Sequence, residues 1–323
     1  MKGLELSERY YHEFGAPMLE SRFPELLPEI AAGLLGSGSE VLGFDDENSQ
    51  DHDFEPGFCI FLPEEERVSR RSAFLLERAY AALPKEYLGF SRGFLSPVGG
   101  NRHGVMRLSD FLADRIGPEA AGRALDPMKN GEDILTTRDW LSLPEQYLLE
   151  ITSGKLYRDD GGLLTGVREK LAYLPEDIRK KKLAGNLLYA AQSGQYNYER
   201  CLLHGEETAA AMALFYFTEA ALRCLFLLAG KYLPYYKWRF RALKAWTPYG
   251  DCDAVFRKLL SGPNDASESG EKKELILGIL TRIVADAGLP KETDPGEAAY
   301  LLNDEIEDGE IRNLHILTAV REN

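Results

Sequence analysis

No lysine or arginine occurs between Arg22 and Arg67, although this stretch carries Asp45, Asp46, Glu47, Asp51, Asp53 and Glu55. The acidic cluster therefore has no counter-charge close to it in sequence. It is either a solvated acidic loop or a site whose positive charge comes from outside the chain. Cysteine is scarce as well. Cys59, Cys201, Cys224 and Cys252 show no Cys-x-x-Cys spacing, which argues against a disulfide frame or a zinc site and for reduced thiols in a cytoplasmic protein. The stretch MKGLELSERYYHEF lacks the apolar core of a secretory signal. A net charge of -14 disfavours broad affinity for nucleic acid or anionic membrane, and so disfavours a polynucleotide partner.

Long hydrophobic runs are also few. AAAMALFYFTEAALRCLFLLAG, residues 209–230, is the one with the length of a membrane span. Glu219 and Arg223 interrupt it four residues apart, where they can pair on one helical face and where lipid burial would be costly. The run reads as the central helix of a soluble bundle.

The chain pattern changes near residue 115. Before it, AAGLLG (31–36) and FCIFL (58–62) read as short buried strands, GVMRL (104–108) is a further strand candidate too short for its period to decide, and VSRRSAFLLERAYAAL (68–83) reads as an amphipathic helix. After it, PEQYLLEITSG, PEDIRKKKLAGNLLYAAQSG, residues 206–230 and WRFRALKAW carry helical periodicity. SGPNDASESGEKK (261–273) reads as an exposed loop, and RKKK (179–182) as a solvated helix face. The expected fold is α+β, with a mixed-sheet domain over 1–115 and a larger helical domain over 116–323.

The acids become more specific when taken with their neighbours in GSGSEVLGFDDENSQDHDF, residues 36–54. Asp51 and Asp53 are one residue apart, so on a strand they share a face with Cα atoms roughly 6–7 Å apart. Two carboxylates brought to about 4 Å repel by about 4 kcal/mol at an effective dielectric near 20. A divalent cation relieves that repulsion, and an all-oxygen donor set favours Mg2+ or Mn2+. Gly38 and Ser39 follow an expected strand, where bare backbone and a hydroxyl suit phosphate oxygens. Other motifs fail on spacing. A Walker loop needs a lysine that is absent here, a Rossmann turn needs a glycine opening a helix, and an EF-hand counted from Asp45 meets Gln50 and Pro56 at its glycine and glutamate positions.

Gly38-Ser39, eleven residues, then Asp51-His52-Asp53 resembles the signature of the nucleotidyltransferase superfamily, which includes polymerase beta-like and aminoglycoside nucleotidyltransferases. Within it, GLLGSGSEVLGFDDENSQDHDFEPGFCIFL resembles the bacterial domain-of-unknown-function 4037 group. The likeness continues through PEQYLLEITSGKLYRDDGGLLTGVREKLAYLPEDI, QSGQYNYERC and KYLPYYKWRFRAL, to about residue 246.

The resemblance implies Asp51 and Asp53 as Mg2+ ligands and Gly38 and Ser39 as contacts to the phosphates of a nucleoside triphosphate, with ATP the expected co-substrate. The acceptor would be a hydroxyl of an unidentified small molecule or protein, and pyrophosphate would leave. A third carboxylate usual in the superfamily falls on Asp110 or Glu145, with Asp159 and Asp160 behind them. Asp110 and Glu145 equally suit helix first turns. A non-catalytic nucleotide-binding protein on the same fold is the alternative, and a helical interaction protein with an incidental acidic loop is a third reading. In KYLPYYKWRFRALKAW, Lys237 or Arg241 could neutralise a triphosphate, or these cations could lie over an aromatic core. Gln195, Tyr196, Asn197 and Arg200 suit either an acceptor pocket or helix packing. His52 is expected to face away from the metal, and His12, His103, His204 and His315 to be structural or exposed.

Overall fold

The structure, a computed structural model, describes residues 1–47, 54–92, 103–126, 133–264 and 269–320. The chain divides into two compact units, Met1–Leu135 with Tyr147–Ala172, and Thr136–Gln146 with Tyr173–Asn323. The boundary expected near residue 115 falls at the end of a helix inside the first unit.

In chain order the first unit contains α1 (Gly3–Tyr10), α2 (Ala16–Arg22), β1 (Ala31–Leu34), β2 (Cys59–Leu62), α3 (Arg70–Ala81), β3 (Glu86–Tyr87), β4 (Phe90–Ser91), β5 (Gly104–Arg107), α4 (Leu108–Ile116) and α5 (Pro118–Leu125). After α6 (Thr137–Ser142) of the second unit, α7 (Glu145–Thr152) leads back into β6 (Lys155–Arg158) and α8 (Thr165–Lys170). The strands expected at 31–36, 58–62 and 104–108 are β1, β2 and β5, and the expected helix at 68–83 is α3. Ser69 starts α3, its hydroxyl accepting the Ser72 amide at 3.2 Å.

β5, β2, β1 and β6 form one sheet in that order. β1 is antiparallel to β2 and β6, and β2 is parallel to β5. The sheet is covered on both faces, which is why FCIFL is continuously apolar and not alternating. Phe58, Ile60 and Leu62 join Tyr10, Leu19, Leu76 and Tyr80 in one core. Phe61 points to the other face, its ring 5.0 Å from that of Phe111 in α4. The Tyr80 hydroxyl donates to Phe58 O at 2.8 Å and accepts the Phe58 amide at 3.1 Å, satisfying the backbone just before β2.

The second unit is helical, with α6 joined by α9 (Glu176–Ala190), α10 (Tyr198–Leu203), α11 (Glu207–Leu228), α12 (Arg239–Trp246), α13 (Cys252–Leu260), α14 (Ser269–Asp286), α15 (Pro295–Asp304) and α16 (Gly309–Asn313). α11 is long and apolar enough to cross a membrane, but Leu214, Phe217, Ala221 and Leu225 are buried within this unit, as in a core helix. Its Glu219 is held by Arg239.

Two expectations change here. RKKK is not a solvated face, because Lys181 and Lys182 are buried. Lys181 Nζ donates to Asn303 Oδ1 at 2.7 Å, Leu314 O at 2.6 Å and Arg312 O at 3.2 Å, so the ammonium ties α9 to the chain around α15 and α16. The loop expected over 261–273 is shorter, since α14 begins at Ser269 and the buried Lys272 donates to Asn264 Oδ1 at 2.8 Å.

Burial pushes the Cys59 thiol up to about 12 from 9.0, and raises the Tyr80 and Tyr157 hydroxyls above 10.0. Above those ordinary values the unfolded chain loses protons that the folded chain keeps. Stability is therefore full below about pH 9 and falls as pH rises toward 12, by about 1.4 kcal/mol per pH unit for each shifted group. The urea midpoint should drop steeply between pH 9 and 11. A flat midpoint over that range would contradict the burial of these groups.

Candidate functional site

The register of the sheet decides what can meet. Gly33 lies opposite Cys59, so the end of β1 and the start of β2 share one edge. Cys59 also lies opposite Gly104, which brings the start of β5 and its neighbour His103 to that edge. Leu34 lies opposite Lys155, which brings the start of β6 there too. At this edge the chain leaves β1 through Gly36-Ser37-Gly38-Ser39 and returns to β2 through Phe54-Glu55-Pro56-Gly57.

The turn after β1 depends on its glycines. Gly36 has φ +101° and Gly38 φ +139°, conformations that a side chain strains. The Gly36 amide donates to Glu150 O at 3.0 Å, and the Phe44 amide closes the following loop on Ser39 O at 2.7 Å. The Glu40 carboxylate folds over Gly38, where a Cβ would collide with it, and Oε2 lies 3.5 Å from Ser39 Oγ.

Asp45 has a structural partner. Its carboxylate is buried, accepts the Gly3 amide at 2.8 Å and lies 3.5 Å from Lys2 Nζ. It therefore caps the start of α1, and Lys2 supplies a counter-charge that the local sequence lacks. Asp46 and Glu47 are exposed.

Asp51, His52 and Asp53 lie outside the described residues. Asp110 stands in the first turn of α4, which follows Arg107 at the end of β5, the sheet edge opposite the Gly38-Ser39 turn. Asp159 and Asp160 follow β6 at that same opposite edge. There Asp159 Oδ2 accepts the Leu164 and Thr165 amides at 3.1 and 2.7 Å and shapes the loop into α8. Among the described residues, no three His, Cys, Asp or Glu side chains gather as a metal-holding group.

The other candidates belong to the second unit. Glu145 is buried, with Oε1 3.5 Å from Lys182 Nζ and Oε2 accepting the Leu233 amide at 3.1 Å. Burial, and then the Glu145 charge, raise the Tyr232 hydroxyl above its ordinary value. These contacts make Glu145 the anchor of the 231–235 segment. Lys237 and Arg241 are exposed and flank Trp238, 5.1 and 5.5 Å from its ring centroid. In QSGQYNYERC the helix packing comes from Gly194 and not from the four polar residues singled out in the sequence, all of which are exposed. Ala191–Asn197 is a π-helical stretch in which Gly194 is buried, 2.5 Å from Phe217 to the position of a Cβ, while Gln195, Tyr196 and Asn197 are exposed.

Two pairs at the sheet edge escape a reading of motifs. His103 Nδ1 lies 3.2 Å from Glu55 Oε1, and the ring covers Gly57, where a Cβ would stand 2.8 Å away. Arg115 Nε lies 3.0 Å from Glu150 Oε2, and a Cβ at Gly36 would stand 3.2 Å from Arg115 Nη2. The first pair has a faint signal, since Glu55 continues the alternation of Asp51 and Asp53. The second has none, because Arg115 is one cation in an ordinary helix last turn.

Residues 140–239 match the family model described as Domain of unknown function (DUF4037). That span contains PEQYLLEITSGKLYRDD, QSGQYNYERC and KYLPYYKWR, and the match supports the likeness to this group. The 36–55 block lies outside it. No curated protein and no solved structure matches the chain.

Glu145→Gln takes from the buried Lys182 ammonium the carboxylate 3.5 Å away. It should cost about 3–5 kcal/mol of stability, and Lys182→Met added to it should recover a large part. Urea unfolding of both variants checks this. A single variant as stable as wild type would free Glu145 for another role.

Proposed function

We propose that the chain is an Mg2+- or Mn2+-dependent nucleotidyltransferase, moving a nucleoside monophosphate, AMP first among them, from the triphosphate to a hydroxyl of a small molecule or protein. The observation that carries this reading is the meeting at one sheet edge of the Gly36–Ser39 turn and the entry into β2, the strand that Asp51 and Asp53 precede in sequence. With Glu40 displaced, the glycine turn would let backbone approach a phosphate closely, and its Ser39 hydroxyl can donate to a phosphate oxygen. The carboxylates of Asp51 and Asp53 are a hard oxygen donor set, suited to Mg2+. When bound, the metal would neutralise charge on the attacking and leaving oxygens.

Within this reading the residues of the chain have distinct tasks. The turn orients the phosphates, and Glu40 must swing away from Gly38 for them to settle, since a carboxylate and a phosphate repel. The net charge of -14 favours a small or protein acceptor over polynucleotide, and the cysteine usage suits the cytoplasm.

A non-catalytic nucleotide-binding protein is the second reading. It is favoured by two observations: Glu145 is held by Lys182 and the Leu233 amide, and Asp110 stands at the opposite sheet edge. Among the described residues the acids near the turn and the β2 entry include Glu40, Glu55 and Glu150, the last paired with Arg115. Release of pyrophosphate from bound ATP with hydroxylated acceptors separates transfer from binding alone.

ATP titrated calorimetrically should bind with Mg2+ and much more weakly without it. Asp51→Asn and Asp53→Asn should each weaken the Mg2+-dependent binding at least tenfold, and Asp110→Asn should leave it unchanged. Metal-dependent binding that survives both asparagine substitutions would remove the proposed site.

A further inference from the structure

On the reading that this edge takes a triphosphate, we propose that Arg115 is the cation that receives the phosphates beside the Gly36–Ser39 turn. Sequence alone directs attention to Lys237 and Arg241, because no basic residue lies between Arg22 and Arg67. The fold supplies one from α4. This helix leaves the far edge of the sheet after β5 and runs back across it, packing Phe111 edge-to-face against Phe61. Its last turn ends at the near edge, with Arg115 against Gly36.

The guanidinium is held in place from several sides. Nη1 donates to Phe111 O at 2.9 Å, Nε lies 3.0 Å from Glu150 Oε2, and the group lies over the Phe111 ring, 3.9 Å from its centroid. The Glu150 main chain accepts the Gly36 amide, so the carboxylate that positions Arg115 belongs to the residue that fixes the turn. Nη2 faces the turn, at the place that a Cβ of Gly36 would crowd.

Nη1 is bonded to Phe111 O and Nε is ion-paired with Glu150 without a hydrogen bond, while Nη2 directs its donors toward the turn, which suits the oxygens of a phosphate. The side chain is 15% exposed, so its charge is only partly screened by water and is strongest for a ligand that enters the turn. The glycine thus serves twice: its φ forms the turn, and its missing Cβ opens the turn to the guanidinium.

The test uses the full chain with two probes, inorganic tripolyphosphate and ATP with Mg2+. Arg115→Met should weaken binding of both at least tenfold, and Arg115→Lys by a smaller factor, since a lysine keeps the charge without the fork. A parallel readout on the wild type covers variants that fold poorly: the Arg115 Nε–H resonance should shift on titration with tripolyphosphate. Unchanged affinity in Arg115→Met, or a resonance that stays fixed at saturation, would overturn the assignment and leave the nucleotidyltransferase reading standing. Wild-type binding of tripolyphosphate without binding of ATP would keep Arg115 as an oxyanion contact and remove that reading. A wild type that binds neither probe would overturn both.

Discussion

The pairing of Gly33 with Cys59 sets the geometry on which the candidate site depends. The strands of the main sheet are four residues long, so each segment that enters or leaves them is assigned to one edge or the other. A slip of one residue would turn Phe58, Ile60 and Leu62 from one core to the other. Close backbone contacts lock the register on the far side of β1. A Cβ at Gly33 would collide with Lys155 O, and one at Gly154, with φ +74°, would collide with Leu34 O. With β1 pinned between β2 and β6, the glycine turn, the approach to β2, His103 and the end of α4 arrive at one place. Asp110, Asp159 and Asp160 arrive at the other.

Charge is partitioned in a way that the crowded acidic segment does not suggest. Asp45 is consumed by the start of α1 and by Lys2, and Glu40 lies over Gly38, while Asp46 and Glu47 face solvent. In the second unit, buried and half-buried charges join helices and loops. Glu145 with Lys182 holds the 231–235 segment, Glu219 is held by Arg239, and Lys181 gathers two carbonyls and an amide oxygen. Buried ions of this kind are costly to leave unpaired, so these groups are committed to the fold and are poor candidates for chemistry.

Much of the fold was legible in the sequence, because its signals are local. The runs at 31–36, 58–62 and 104–108 became strands, and Ser69 marks the start of α3. Residues 206–230 became a core helix, as the mid-run Glu219 and Arg223 suggested. Burial of Lys181 and Lys182 was not legible, since a run of four basic residues gives no sign of the carbonyls and side-chain oxygens that meet it from residues far along the chain. For the candidate site, the turn at Gly36–Ser39 follows β1 as expected from Gly and Ser after a strand. Lys2 against Asp45, His103 against Glu55 and Arg115 against Gly36 each join residues distant in sequence, which tertiary packing alone brings together.

The most direct measurement is paramagnetic relaxation of backbone amides by Mn2+ in the presence of ATP. Broadening should be strongest at Gly36–Ser39, Phe54, Glu55, Gly57 and His103–Gly104, and weaker at Asp110, Leu164 and Thr165 on the opposite edge. Broadening centred on that opposite edge, or none that depends on ATP, would contradict a metal–phosphate site built on the β1–β2 edge.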